Sequence, residues 1–236
     1  DHLKGLIVLS ILSGIGVWVL QTGNQLVAPV GISLSIWIIL GSLADLLRRG
    51  RFQLRFPILS LRRLILLPKS ETGKCFGHIG FGFLVLGISA VSSWELEDIR
   101  VVSLKEPYFL SDYTVELREI SEFKRDNYVT RQGTVYVEKD GREIAVLTPQ
   151  KRFYPVQGAY TTEAAIHTNL LRDIYVVLGD KNSDNEWVLR TYIKPFVVWI
   201  WIGALTIAFG GVISLFDRRY RVGLLRQRET RKLSTI

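Results

Sequence analysis

Residues 75–93 read CFGHIGFGFLVLGISAVSS. The run is apolar from end to end apart from one imidazole, His78. A bilayer core takes ~20 apolar residues as helix, so this stretch predicts a membrane span. An ionisable group inside a span is costly and is a functional candidate by default. The spacing of Gly77, Gly80, Gly82 and Gly87 allows a plainer role, since small residues let helices approach closely in membranes.

Working outward, three more apolar runs qualify: Leu6–Leu20, Leu26–Leu47 and Pro195–Phe216, the last with proline expected at the first helical position. The first resembles the apolar part of a signal peptide but lacks a cleavage site and leads at once into a second span. Charge falls between these runs in blocks. Residues 48–74 carry Arg48, Arg49, Arg51, Arg55, Arg62, Arg63, Lys69 and Lys74 against Glu71. The tail 217–236 is also basic, whereas 95–194 holds 14 basic and 17 acidic residues. Two basic flanks around an acidic middle orient the chain by the positive-inside rule. Both flanks face the cytoplasm or matrix, and residues 22–25 and 94–194 face outside. Trp94, Trp199 and Trp201 then fall at the outer interface, and His78 about one turn from the inner one. The overall pI of 9.7 and net charge of +8 follow from these flanks, and nucleic acid is excluded as a partner because no single folded face collects the cations.

Within the basic loop, residues 52–67 read FQLRFPILSLRRLILL, too charged to span and suited to lie on the inner surface with arginines toward lipid phosphates. The outer segment reads as β structure. Residues 113–120 alternate at period two, and 134–138 and 143–147 flank Asp140-Gly141, a strong hairpin signal. Residues 172–178 and 187–192 read as strands, and 161–168 as a short helix. About five to seven short strands predict a small barrel or sandwich.

The expected fold is therefore an α-helical polytopic membrane protein with an inserted extracytoplasmic all-β domain. Two spans occupy 1–47, a basic loop 48–74, a span with His78 75–93, the β domain 94–194, a span 195–216 and a basic tail 217–236. The one cysteine, Cys75, excludes an internal disulfide framework. There is no methionine, so position 1 is not expected to be a native start. Metal-ligand spacings, Cys-x-x-Cys, phosphate loops and nucleophile elbows are absent from the sequence.

Imidazole is the commonest protein ligand of haem iron, which gives His78 its sharpest reading. Other charged candidates have ordinary readings: His167 as a surface residue, Asp45 and Asp217 as local ion-pair partners, and Lys151, Arg152 and Lys194 as solvated or interfacial charge. His2 lies too near the start of the chain to weigh.

The ordered motifs TPQKRFY at 148–154, TTEAA at 161–165, LRDIY at 171–175, WVLR at 187–190, YIKPF at 192–196, WIWIG at 199–203 and DRRYR at 217–221 resemble the C-terminal part of the CcmF family. Those proteins are haem lyase subunits of system I cytochrome c maturation. The run GHIG at 77–80 resembles the family's late membrane histidine segment. The resemblance implies haem b held in the membrane between two histidines, with His78 as one axial ligand to the iron. It implies no catalytic residue in this chain. The second ligand, the tryptophan-rich WWD region and the outer haem-handling histidines would come from a missing N-terminal portion or a split subunit. A haem chaperone, apocytochrome c and the lipid bilayer are the other implied partners, and the inner membrane of a bacterium or mitochondrion the implied location. On the same face as His78, Gly82 is expected to leave room for a porphyrin edge. Two alternatives stand beside this: a non-enzymatic scaffold, and a haem-handling protein of the system II type.

Overall fold

In a computed structural model, residues 2–21, 26–53, 55–182 and 186–217 are described. They divide into two compact units, residues 1–93 with 199–236, and residues 94–198. The side chain of His2, the expected outer turn 22–25 and the basic tail beyond Asp217 lie outside the described residues.

The helical unit holds α1 (His2–Leu20), α2 (Val27–Arg49), α3 (Pro57–Ile65), α4 (Lys69–Trp94) and most of α5 (Val197–Leu215). Among the described residues α2, α4 and α5 are long and apolar enough to cross a bilayer. Four such helices were expected. The first apolar run forms α1, which at 19 residues is as long as α5, and its described part, Lys4–Leu20, is an apolar helix as well. At 26 residues α4 is about 39 Å long. It begins six residues before Cys75, inside the expected basic loop, where the Asp217 carboxylate accepts the Ser70 N–H at 2.9 Å and caps an orphan donor.

The proline expected at the start of the last span belongs elsewhere. Pro195 ends a strand, and the chain turns at Phe196, whose φ is +56°. The Phe196 N–H is bonded to the Leu171 carbonyl at 2.9 Å, and the helix starts at Val197.

Two antiparallel sheets form the second unit. One has the order β1 (Leu96–Val102), β10 (Trp187–Pro195), β9 (Arg172–Lys181), β8 (Ala165–Thr168). The other has the order β2 (Pro107–Leu110), β3 (Tyr113–Lys124), β4 (Val129–Lys139), β6 (Gln150–Tyr154), β7 (Ala159–Glu163), with β5 (Arg142–Leu147) also on β4. Alternation along β3, β4, β9 and β10 turns one row of side chains inward, so Val115, Leu117, Val135, Val137, Ile174, Val176, Leu178 and Leu189 are fully buried between the sheets. Tyr108 closes the same core, its hydroxyl 2.7 Å from that of Thr191.

Asp140 and Gly141 form the two-residue β4–β5 turn, with φ of +52° and +71°, as a hairpin of this length requires. The helix expected at 161–168 is replaced by β7 and β8. Its Ala-Glu composition favours helix locally, but Gln150–Tyr154 and Asp173–Val176 offer strand edges on both sides, and pairing with them prevails. The ten strands among the described residues exceed the expected number because β2, β6, β7 and β8 are only four or five residues long.

Candidate functional site

The site is built on α4, whose residues fall on three faces. Cys75, Gly82 and Ser89, seven apart, face α2. Ser35 Oγ donates to the Gly82 carbonyl at 2.9 Å, and the Cys75 thiol approaches the Ser42 carbonyl at 3.6 Å. A Cβ on Gly31 would strike Ser89, and one on Gly82 would lie 2.4 Å from Ile39. Gly73 and Gly80, again seven apart, face α5. A Cβ on either would come within about 2.6 Å of the Gly210 or Gly203 carbonyl. These two stripes hold three helices at glycine–backbone distance, the packing that small residues permit in membranes. Phe76 packs edge-on against Phe209, and Phe83 packs tilted against Trp199, both between α4 and α5.

Lys74, His78, Phe81 and Ile88 lie on the third face and are exposed. Nδ1 of His78 is 2.9 Å from the Lys74 carbonyl oxygen. A carbonyl only accepts, so Nδ1 donates in this contact, and the neutral tautomer that fits it carries its lone pair on Nε2. A metal-ligating imidazole is oriented in this way, through its other nitrogen. Beside it runs an open groove of about 470 Å³, lined by His78, Gly77, Phe81, Ile207, Gly210 and Gly211 among others. At Gly77 and Gly211 nothing lies within 4 Å of where a Cβ would be.

The expectation for Gly82 is therefore corrected. Gly82 is filled by Ile39 and Ser35, and the open glycine beside the imidazole is Gly77. Sequence spacing could not separate the two, because each seven-residue stripe meets a single neighbour and the identity of that neighbour is not written in α4. The donor set fits haem as one axial ligand: an imidazole held by its own helix through Nδ1, with the apolar side chains of Phe81 and Ile88 beside it.

Just toward the basic end of α4 lies an ion-pair cluster that the sequence showed only as neighbouring charges. Asp45 pairs with Arg49 at 2.9 Å and Lys74 at 3.4 Å, and Glu71 with Arg49 at 2.9 Å and Lys74 at 3.0 Å. Asp45 thus has the ion-pairing role expected of it, and Asp217 caps α4.

The remaining candidates lie in the sandwich. Lys151 pairs with Asp180, Arg152 with Glu163 at 3.4 Å and Lys194 with Glu95 at 3.0 Å, as ordinary surface charge does. His167 lies on β8, opposite Ile174. Burial pushes the nearby Asp173 carboxyl above its usual range, partly offset by a hydrogen bond with Thr168 and the charge of His167. A wide apolar groove of about 670 Å³ between α1 and α2 has no titratable lining residue.

Comparison with known proteins gives this arrangement a family. Residues 93–195 match the model of the CcmF C-terminal beta-sandwich. The cytochrome c-type biogenesis protein ccl1 of Rhodobacter capsulatus is 39% identical over 205 residues, which are 87% of this chain and 30% of that protein. The chain belongs to the CcmF family, as its C-terminal part. CycK of Bradyrhizobium diazoefficiens, also a cytochrome c-type biogenesis protein, is 36% identical over 220 residues, 93% of this chain and 32% of its own length. A solved structure, Cytochrome c Heme Lyase CcmF, shares the fold at a TM-score of 0.63 and 17% identity, over 89% of this chain and 34% of that one. The chain thus spans about a third of the length of the CcmF relatives it matches. The system II alternative is set aside by this assignment.

Proposed function

We propose that this chain is the C-terminal membrane portion of a cytochrome c haem lyase, and that His78 gives one axial imidazole to a haem b held against the third face of α4. The observation that carries the reading is the free Nε2 of His78 on the one face of α4 that neither α2 nor α5 occupies. Bound there, the haem would supply one-electron exchange. The chain's own contributions are distinct. Lys74 fixes the imidazole through its carbonyl, Gly77 and Gly211 leave space beside it, and Phe81 and Ile88 present an apolar surface that excludes water. The rest of the protein, a preceding segment or split subunit, brings the second ligand and the WWD region.

In this reading the sandwich lies on the outer side of the inner membrane, where haem, its chaperone and apocytochrome c meet. The acidic excess of 95–194 and the basic excess of 48–74 support that orientation. Catalytic groups for thioether formation belong to the remainder of the protein. The scaffold alternative draws on one observation, that Gly80 and Gly82 are occupied by helix packing.

A reduced-minus-oxidised absorption spectrum of the complete protein, wild type beside His78→Ala, tests the proposal. A low-spin b-type signal that collapses in the variant supports ligation. Equal signals in both would make His78 structural and favour the scaffold.

A further inference from the structure

Two groups of cations stand out between the end of α2 and the start of α4. Arg49 and Lys74 are matched by Asp45 and Glu71. Arg55, Arg62, Arg63 and Lys69 have no carboxylate partner among the described residues. The nearby Asp217 is engaged with the Ser70 N–H. Among the described residues, cations therefore outnumber carboxylates along α3 and the start of α4.

Apolar surface is gathered with it. α3 is tied to the end of α2 by one side only: Leu64 fills the space over Gly50, and Ser60 exchanges hydrogen bonds with the Gln53 backbone at 2.9 and 3.2 Å. Its other side presents Ile58, Leu61 and Ile65, spaced three and four apart, with Ile58 85% and Ile65 75% exposed. From Ile65 a groove of about 210 Å³ continues past Leu64, Leu67 and Thr72 to Ile213 and Phe216, at the end of α5. At its mouth stands Lys69, its ammonium 5.7 Å from the Phe216 ring centroid.

We propose that this groove is a binding site for an anionic phospholipid of the leaflet on the basic side, its chain lying along Ile65, Leu67, Ile213 and Phe216 and its phosphate met by Lys69 and Arg62. The proposal rests on α4 and α5 crossing a bilayer but is independent of haem at His78. A free phosphate would need the cations alone, whereas here an apolar trough and an exposed apolar helix face adjoin them. Polybasic segments at a membrane surface attract anionic headgroups with about fivefold in affinity per cation. The site would hold α3 flat on the surface and fix the connection between α2 and α4.

The test uses the complete protein in vesicles of phosphatidylcholine containing spin-labelled phosphatidylglycerol or, separately, spin-labelled phosphatidylcholine. The motionally restricted fraction should favour phosphatidylglycerol about tenfold. In Arg62→Gln/Lys69→Gln that preference should be abolished. Lys69→Gln alone, the milder variant if the double one does not reconstitute, should lower it about fivefold. Arg131→Gln, which breaks an exposed pair with Glu122 in the sandwich, should change nothing. Equal restriction of both lipids in wild type, or a preference unchanged in the Lys69 variant, would overturn the proposal. So would displacement of the labelled lipid by millimolar inorganic phosphate, which would identify a phosphate site instead. A lost lipid preference with an intact haem spectrum, or the converse, separates this proposal from the one for His78.

Discussion

The sandwich and the helical unit use their apolar residues in opposite ways. Of the largest side chains shut off from solvent, all except Cys75 belong to the sandwich. In the helical unit Val19, Leu20, Ile58, Ile65, Leu205 and Leu215 are each more than 70% exposed. The sandwich closes on itself, and its stability comes from burial between two sheets. The helices meet through glycine and serine and leave their large side chains facing outward, as a unit does whose solvent is lipid and further helices. A histidine on such an outward face is therefore placed to meet something outside this chain.

The sharpest way to break the contrast is to open the closed core. Leu117→Ala, at a site with no exposed surface, should cost the sandwich about 3 kcal/mol in denaturant unfolding. A change below 1 kcal/mol would mean that the inner row is not tightly packed.

Alkaline pH probes the same core through Tyr108. Burial pushes its phenol up to about 12, the hydrogen bond with Thr191 opposing part of that shift. The folded state then holds a proton that the unfolded state releases near pH 10. Its stability is complete below pH 10 and is lost as pH rises from about 10 to about 12, by about 2–3 kcal/mol. Tyr108→Phe should remove that slope while costing about 1 kcal/mol at neutral pH, where it leaves the Thr191 hydroxyl unpaired. An unchanged alkaline slope in Tyr108→Phe would assign the titration elsewhere.

In the helical unit the contrast lies between two glycines. Gly80→Leu drives a side chain into the Gly203 carbonyl and should weaken the α4–α5 contact by about 1–3 kcal/mol, seen as a lower melting temperature in detergent. Gly77→Ala meets open space and should leave melting unchanged. Equal effects at both positions would erase the distinction between packing faces and the open face.

The smallest effect belongs to the β4–β5 turn. Gly141→Ala places a Cβ at φ +71° and should cost about 1 kcal/mol, measured as a shift in the sandwich's unfolding midpoint. No shift would mean that the turn relaxes to another type.

The elements readable from sequence were those whose pattern has a single physical outcome. Asp140-Gly141 between alternating arms makes a two-residue hairpin, and a long apolar run makes a helix of bilayer length. Residues 161–168 were unreadable because their local composition favours helix, and the strand edges that decide otherwise lie elsewhere in the chain. Pro195 misled in the same way, since a proline can open a helix or end a strand, and the bond from Phe196 to Leu171 that settles it is remote in sequence. At the site, His78 stood out by its chemistry alone. Which glycines flank it depended on which neighbour each seven-residue stripe meets, and that is a property of α2 and α5 rather than of α4.

In the proposed function the open face of α4 presents His78 to iron. The most direct test is His78→Gly in the complete protein, with imidazole added from solution. The account predicts loss of the low-spin b-type signal in the variant and its return with millimolar imidazole, because Gly77 and the open groove leave room for the free base. A full signal in His78→Gly without imidazole would contradict the account.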